Sequence, residues 1–317
     1  MSQIRNLLDV KFTEDIFSEL MPEWKGSAMI KIYMLKGGIT NKLYRVCSEK
    51  RDVTVRIYGD KTEIFINRDI EAETMKRVAK IGISPRLLKY MPEHRVTIVE
   101  FIPGYVLKNS DFLKKELHEK IVRPIRKIHK SGVVLPHIFN PLSKVKKMYK
   151  ILNNLEIGCP EFDIEGVIKN LEKVSEIINI PESEFITSHN DLLADNFVLV
   201  EDGHRGKYHE SMYLIDWEYA GMAPRYYDLA DMFQEILVPR DIEKNIVEHY
   251  CEGKDFEETL YLIDLFKPFP DIYWFLWSMI QHNISKIKFG FYNYGKVKYE
   301  NAQRNIKFIQ EEYSLKI

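Results

Sequence analysis

The spacing of apolar positions changes character near residue 102. Before it, residues 29–36, 42–47 and 52–59 are short runs rich in β-branched and aromatic residues, which read as strands. Gly37 and Gly38 mark the turn between the first two. Residues 64–81 switch to a helical period, with Ile66, Ile70, Met75, Val78 and Ile81 close to one face, and Gly82 and Pro85 end that helix. Residues 86–91 and 95–102 return to strands, joined at Pro92–His94.

Pro103–Gly104 is the first strong break after these strands. Beyond it the pattern predicts helices over 110–130, 141–155, 163–179, 225–238, 241–251, 256–265, 271–290 and 295–314. Two short strands interrupt them, 197–200 and 213–216, with a polar hairpin loop between. Strands gathered first and helices afterwards predict an α+β chain of two lobes, 1–102 and 103–317, meeting at a hinge beside a cleft.

Composition narrows the function. The chain has 317 residues, 45% hydrophobic and 29% charged, an ordinary globular balance that allows a sizeable core. Lys and Arg number 46 against 47 for Asp and Glu, so there is no basic excess of the kind that nucleic-acid binding calls for. Cys47, Cys159 and Cys251 form no CxxC pair, which predicts a reducing, cytoplasmic setting. The first residues lack the long apolar run of a signal peptide. The longest apolar run, Ile272–Ile280, is far short of the ~20 residues that span a bilayer.

The strongest chemical signal runs from Ser188 through His189, Asn190, Asp191 and Leu192 to Asn196, then through a strand pair to Asp216, Trp217, Glu218 and Tyr219. Phosphoryl transfer needs a carboxylate to orient the attacking hydroxyl and accept its proton, a second to hold Mg²⁺, and an oxygen ligand to complete the metal shell. Asp191, Asp216 and Asn196 can supply these in order. A His-Asn-Asp triplet alone is more often a turn or a helix cap. The D-x4-N spacing and the apolar strand ending in Asp216 set that reading aside. The remaining histidines, including His129, His137 and His282, show no metal-ligand spacing.

With these residues in view, the chain resembles the choline/ethanolamine kinase family, within the protein-kinase-like and aminoglycoside-phosphotransferase group. The resemblance runs from about residue 35 to 300 through LKGGITNKLYRV (35–46), VRIYG (55–59), ISPRLL (83–88), SHNDLLADN (188–196), LIDWEYAG (214–221), YYDLADMF (226–233) and WFLWSMIQHNISKIKFGFYNY (274–294). It implies that Gly37, Gly38, Thr40 and Asn41 cover the phosphates of ATP and that Arg56 contacts them. Glu71 would pair with Arg56, although a solvated helix glutamate is the plainer reading and Glu73 lies nearby. Glu100, Phe101 and Ile102 would lie beside adenine. His189 would hold the catalytic loop or act as base, a task that Asp191 fits better. Glu218 would help a second Mg²⁺ or remain a loop acid. Asp228 and Asp231 would brace the loop, and Asp195 has no role.

The same resemblance implies an aromatic pocket for a quaternary ammonium, built from Tyr219, Trp274, Trp277, Phe289 and Tyr294. Trp274 and Trp277 share a helix face, but an aromatic stripe at that spacing is ordinarily core. Leu193 departs from the choline-kinase pattern, and the Leu192–Leu193 pair resembles ethanolamine kinases. The expected function is Mg²⁺-dependent transfer from ATP to choline, with ethanolamine as the alternative. More distant alternatives are a kinase for another small hydroxyl compound and a ligand-binding pseudokinase. The expected partner is a small amino alcohol, and oligomeric state is left open.

Overall fold

The computed structural model describes residues 12–26, 29–35, 40–49, 51–201, 208 and 210–317. Gly37 and Gly38, and most of the hairpin loop after residue 200, lie outside the described residues. The N-terminal sheet is antiparallel, in the order β1 (Lys31–Leu35), β2 (Lys42–Cys47), β3 (Asp52–Ile57), β5 (Val96–Glu100), β4 (Leu87–Met91). Side chains alternate across a strand. Val53, Val55 and Ile57 therefore face one side, where they pack with Ile16, Phe17 and Leu20 of helix α1 (Glu14–Leu20) and with Trp24. The pattern reading gives no helix before residue 29, because seven residues are too few to display a period. Arg56 points to the other side, toward helix α2 (Arg68–Val78).

Helix α2 starts later than the apolar spacing suggests. Asn67 caps it, its side chain accepting from the amides of Asp69 and Ile70. Ile66, Met75, Val78 and Ile83 join the core of the second lobe, so the two lobes share apolar contacts.

The chain crosses at Pro103. Strand β6 (Gly104–Val106) pairs with β8 (Phe197–Val200), which pairs with β9 (Met212–Leu214). A second small sheet joins β7 (Ile186–Ser188) to β10 (Gly221–Ala223). Three-residue strands such as β6, β7 and β10 carry no readable alternation. The helices are α3 (Lys115–His129), α4 (Pro141–Asn154), α5 (Ile164–Ile178), α6 (Arg225–Ile236), α7 (Arg240–Cys251), α8 (Phe256–Phe266), α9 (Pro268–Ile284) and α10 (Phe291–Glu312). This is an α+β, two-lobed, protein-kinase-like fold.

Helix α9 is the axis of the helical lobe. Every residue from Pro268 to Gln281 is buried, which explains why its sequence is apolar on all sides. Among the described residues no helix is long and apolar enough to cross a membrane. The helix expected over 271–290 ends at Ile284, where Ser285 takes an extended conformation. Phe289 therefore lies in the connection to α10, not on the α9 face.

Helices α9 and α10 approach closely at Gly295. A Cβ there would fall 2.1 Å from Ser278 Oγ and 2.4 Å from Met279 Cε. Gly295→Ala should push α10 off α9, with an overpacking penalty of about 1–3 kcal/mol. The expected outcome is a lower Tm in thermal unfolding. An unchanged Tm would show that the crossing has room to give.

Candidate active site

Four pieces of chain meet in the cleft. The first is β3 with α2. Arg56 is buried and forms an ion pair through Nη2 with Glu71, while Nη1 donates to Asp216 Oδ1 at 2.7 Å. Glu71 is thus the cleft partner and not a solvated helix acid. Burial works against the Arg56 charge, but Glu71, Asp216 and Glu218 overcome it and hold the proton more tightly than usual. Burial likewise opposes the Glu71 charge, and Arg56 and Arg68 overcome it, leaving that carboxyl below its ordinary range. Asn41 links the start of β2 to this cluster. Its Oδ1 accepts from Gly59 N at 3.2 Å and its Nδ2 lies 3.5 Å from Glu218 Oε2. Thr40 passes so close that a Cβ on Gly59 would sit 2.0 Å from its carbonyl oxygen.

The second piece is the loop between β7 and β8. It carries Asp191, and two carboxylates one turn apart on α6 hold its backbone. Asp228 accepts from His189 N at 2.9 Å and Asn190 N at 2.5 Å, and Asp231 accepts from Leu192 N at 2.8 Å. His129 Nε2 lies 2.9 Å from Asp228, and its Nδ1 lies 2.7 Å from the Tyr250 hydroxyl. The His189 ring is wholly buried; Nε2 donates to the Ile215 carbonyl at 2.9 Å and the ring packs on Trp217. Burial lowers its pKa against the pull of Asp228. Neutral and closed off from solvent, it ties the loop to the segment carrying Asp216. Asn196 donates Nδ2 to the Asp191 carbonyl at 2.8 Å and lies 3.4 Å from its Oδ2. Burial, then Asp231, Asp216 and Glu218, push the Asp191 carboxyl well above its ordinary range.

The third piece follows β9. Asp216 has φ +64°, a left-handed conformation that costs a non-glycine residue about 1 kcal/mol or more and is characteristic of functional sites. Oxygens of Glu71, Asp216 and Glu218 lie within 4.8 Å of one another. Glu218 is pushed up to about 7, by burial first and Asp216 next, against Arg68. These hard oxygen donors, with the amide oxygen that Asn196 keeps after its nitrogen is engaged, fit Mg²⁺ and not a soft metal.

The fourth piece is a row of rings. Tyr219 meets Trp274 at 5.1 Å between centroids, Trp274 meets Trp277 at 5.9 Å, and Trp277 meets Phe291 at 5.6 Å. Phe291 meets Phe289 at 4.9 Å, and Phe289 meets Tyr294 at 6.1 Å. Phe289 is 40% exposed, at the open end. Trp274 Nε1 donates to Asp231 Oδ1 at 2.8 Å, and the Tyr294 hydroxyl donates to Glu235 Oε1 at 2.9 Å. Tyr292 turns away to Glu161.

At the hinge, Glu100 pairs with Arg86 and the Phe101 carbonyl accepts from the Tyr208 hydroxyl. Ile102 packs with Val198, Val200, Tyr208 and Tyr213. A cavity of about 920 Å³ reaches His129 and Tyr250 from the far side of the brace and holds none of the cleft residues.

The pattern reading missed Arg68 and Glu235, and it noted Phe291 among the aromatics without placing it in the pocket. Glu235 had a usable signal: with Asp228 and Asp231 it follows a 3,4 spacing on one face of α6. Arg68 had only its i,i+3 spacing to Glu71, since its other partner, Glu218, is 150 residues away.

The family model of choline/ethanolamine kinases matches residues 32–303. The chain belongs to the choline/ethanolamine kinase family. Among the family's members, a probable ethanolamine kinase of Arabidopsis thaliana is 27% identical over 92% of this chain and 84% of its own. A probable choline kinase of the same plant is 25% identical, over 86% and 85%. The crystal structure of a choline/ethanolamine kinase family protein from Mesorhizobium loti superposes with a TM-score of 0.76 at 24% identity, covering 93% of each chain. The chain is accordingly a small-molecule kinase, a phosphotransferase that acts on an alcohol.

In this family member the Asp228 brace can be tested directly. Asp228→Ala leaves two buried amides and His129 without their acceptor, at a cost of about 3 kcal/mol. Urea unfolding should show that loss, and kcat should fall with it. Wild-type stability would mean that the loop is held by other contacts.

Proposed function

We propose that this kinase transfers the γ-phosphoryl group of ATP to the hydroxyl of choline, giving phosphocholine and ADP and supplying phospholipid headgroups. One observation carries the reading. Asp231 holds the Leu192 amide beside Asp191 with one oxygen and the Trp274 indole of the ring row with the other. The candidate base and the candidate cation pocket are therefore tied by a single carboxylate.

Asp191 orients the acceptor hydroxyl and takes its proton as that oxygen attacks the γ-phosphorus and the bond to the β–γ bridging oxygen breaks. Asp216, Glu218 and Asn196 are the groups that would hold Mg²⁺, whose charge offsets that of the phosphate oxygens. Arg56 and the Thr40–Asn41 turn face the nucleotide, with Glu100 and Ile102 beside the base. His189 positions the loop.

A trimethylammonium has no N–H to donate and is recognised by ring faces, each contact worth on the order of 0.5–2 kcal/mol. Both Asp231 oxygens already accept protein donors, and Glu235 Oε1 takes both Tyr294 and Lys298. The acids beside the rings are thus already paired within the protein, and the ring faces are what a trimethylammonium would meet, which supports choline. Ethanolamine is the second reading, supported by the Leu192–Leu193 pair and by the named activity of the Arabidopsis relative.

Three measurements test this. Asp191→Ala should lower kcat at least about 100-fold with the circular dichroism spectrum intact; near-normal turnover would remove the base assignment. In kcat/KM with Mg-ATP across choline, ethanolamine, thiamine and an aminoglycoside, choline should lead. Trp277→Ala should cut choline use about tenfold while leaving the ATP KM nearly unchanged. A wild-type preference for ethanolamine would replace the first reading by the second.

A further inference from the structure

Among the described residues, Arg68 is a cleft cation that the phosphoryl-transfer scheme above leaves without a task. It is the first residue of α2, and its Nη1 donates to Glu71 Oε2 at 2.7 Å and to Glu218 Oε2 at 2.9 Å. Its guanidinium carbon lies 4.2 Å from the centroid of the Tyr58 ring. Its Nε and Nη2 are buried without a hydrogen-bond partner among the described residues, so the ring face is their main neighbour. The group is thus fixed in three directions: by the helix start, by the aromatic face and by two acids.

The detail that matters is which oxygen of Glu218 these groups use. Arg68 Nη1, Asn41 Nδ2 and, at 3.8 Å, Arg56 Nη1 all converge on Oε2. None of the hydrogen bonds or ion pairs among the described residues engages Oε1. A carboxylate anchored through one oxygen can present the other to a cation without losing its orientation. Outer partners of this kind orient metal-binding carboxylates and set affinity.

We propose that Arg68 is a positioning residue for the divalent cation: it clamps Glu218 through Oε2 and turns Oε1 toward the metal position beside Asp216. This rests on the reading of Asp216 and Glu218 as metal ligands. A planar guanidinium bridging two acids while stacked on a ring is not replaceable by an ammonium. Arg68→Lys should therefore recover only part of what Arg68→Met loses.

The test is Mn²⁺ binding to the protein saturated with a non-hydrolysable ATP analogue, with free Mn²⁺ counted by electron paramagnetic resonance. Arg68→Met should weaken Mn²⁺ binding by about tenfold or more and Arg68→Lys by less. Affinity for the same analogue in EDTA should stay within about twofold of wild type, a split that general loosening of the lobe would not produce. If Arg68→Met does not fold, Arg68→Lys alone decides, with an intermediate Mn²⁺ affinity expected. Unchanged or tighter Mn²⁺ binding in the folded variants overturns the proposal. So does a loss confined to analogue affinity in EDTA, which would make Arg68 a phosphate ligand. Failure of the wild-type complex to bind Mn²⁺ more tightly than the analogue alone would instead overturn the metal site on which the inference rests.

Discussion

Two arginines of the first lobe, Arg56 and Arg68, face two carboxylates of the second, Asp216 and Glu218, with Glu71 between them. The rest of the site depends on this cluster. Its charges are mostly out of water, where an unpaired ion costs several kcal/mol and a paired one roughly breaks even. The cluster therefore adds little net stability, but any arrangement that separates the partners is penalised. It holds the β3–α2 unit against the β9 turn and fixes Asp216 in its left-handed conformation next to the loop of Asp191.

The cleft is short of positive charge. Burial and neighbouring acids raise Asp191, Asp231 and Glu218, each above the ordinary carboxylate range. Lys298 supplies one fixed cation deep in the second lobe, 2.7 Å from Glu235 and 3.6 Å from Asp271. Asp271 is still pushed up to about 8 by burial, with Lys298 opposing. Cations entering from solution, a divalent metal and an ammonium, would relieve this imbalance. This imbalance supports the metal and ammonium sites proposed above.

The sheet of the first lobe, helices α2 to α10 and the motif acids were legible because each rests on local rules. Alternation marks strands, a 3.6 period marks helices, and the D-x4-N spacing keeps Asp191 and Asn196 on one loop. What escaped is what depends on contact across the chain. Helix α1 is only seven residues long. The residues from Ser285 to Gly290 carry enough apolar character to extend α9 on paper, yet Ile287 N turns back to Ser285 Oγ and the chain leaves the helix. The role of Glu71 was uncertain until Arg56 reached it from a neighbouring strand. Glu235 and Arg68 look like ordinary surface charges until the fold places Tyr294, Lys298 and Glu218 against them.

Helix α6 works as a ruler between the two chemical ends of the site. Asp228 fixes the amides just before Asp191, Asp231 fixes both the following amide and the first tryptophan, and Glu235 meets the far end of the ring row through Tyr294. Seven residues of helix between Asp228 and Glu235 span about 10 Å. That length is set by backbone geometry and does not respond to the substrate. On the reading proposed above, it would set how far the acceptor hydroxyl stands from the ammonium, a distance that choline and ethanolamine share. Discrimination between them would then fall to a different feature, the ring faces and the paired acids beside them. Spacing and N-methylation would thus be read by separate parts of the fold. On that reading a change in Glu235, Lys298 or Tyr294 would shift the preferred amine without moving Asp191, whereas a change in α6 backbone geometry would disturb both ends at once.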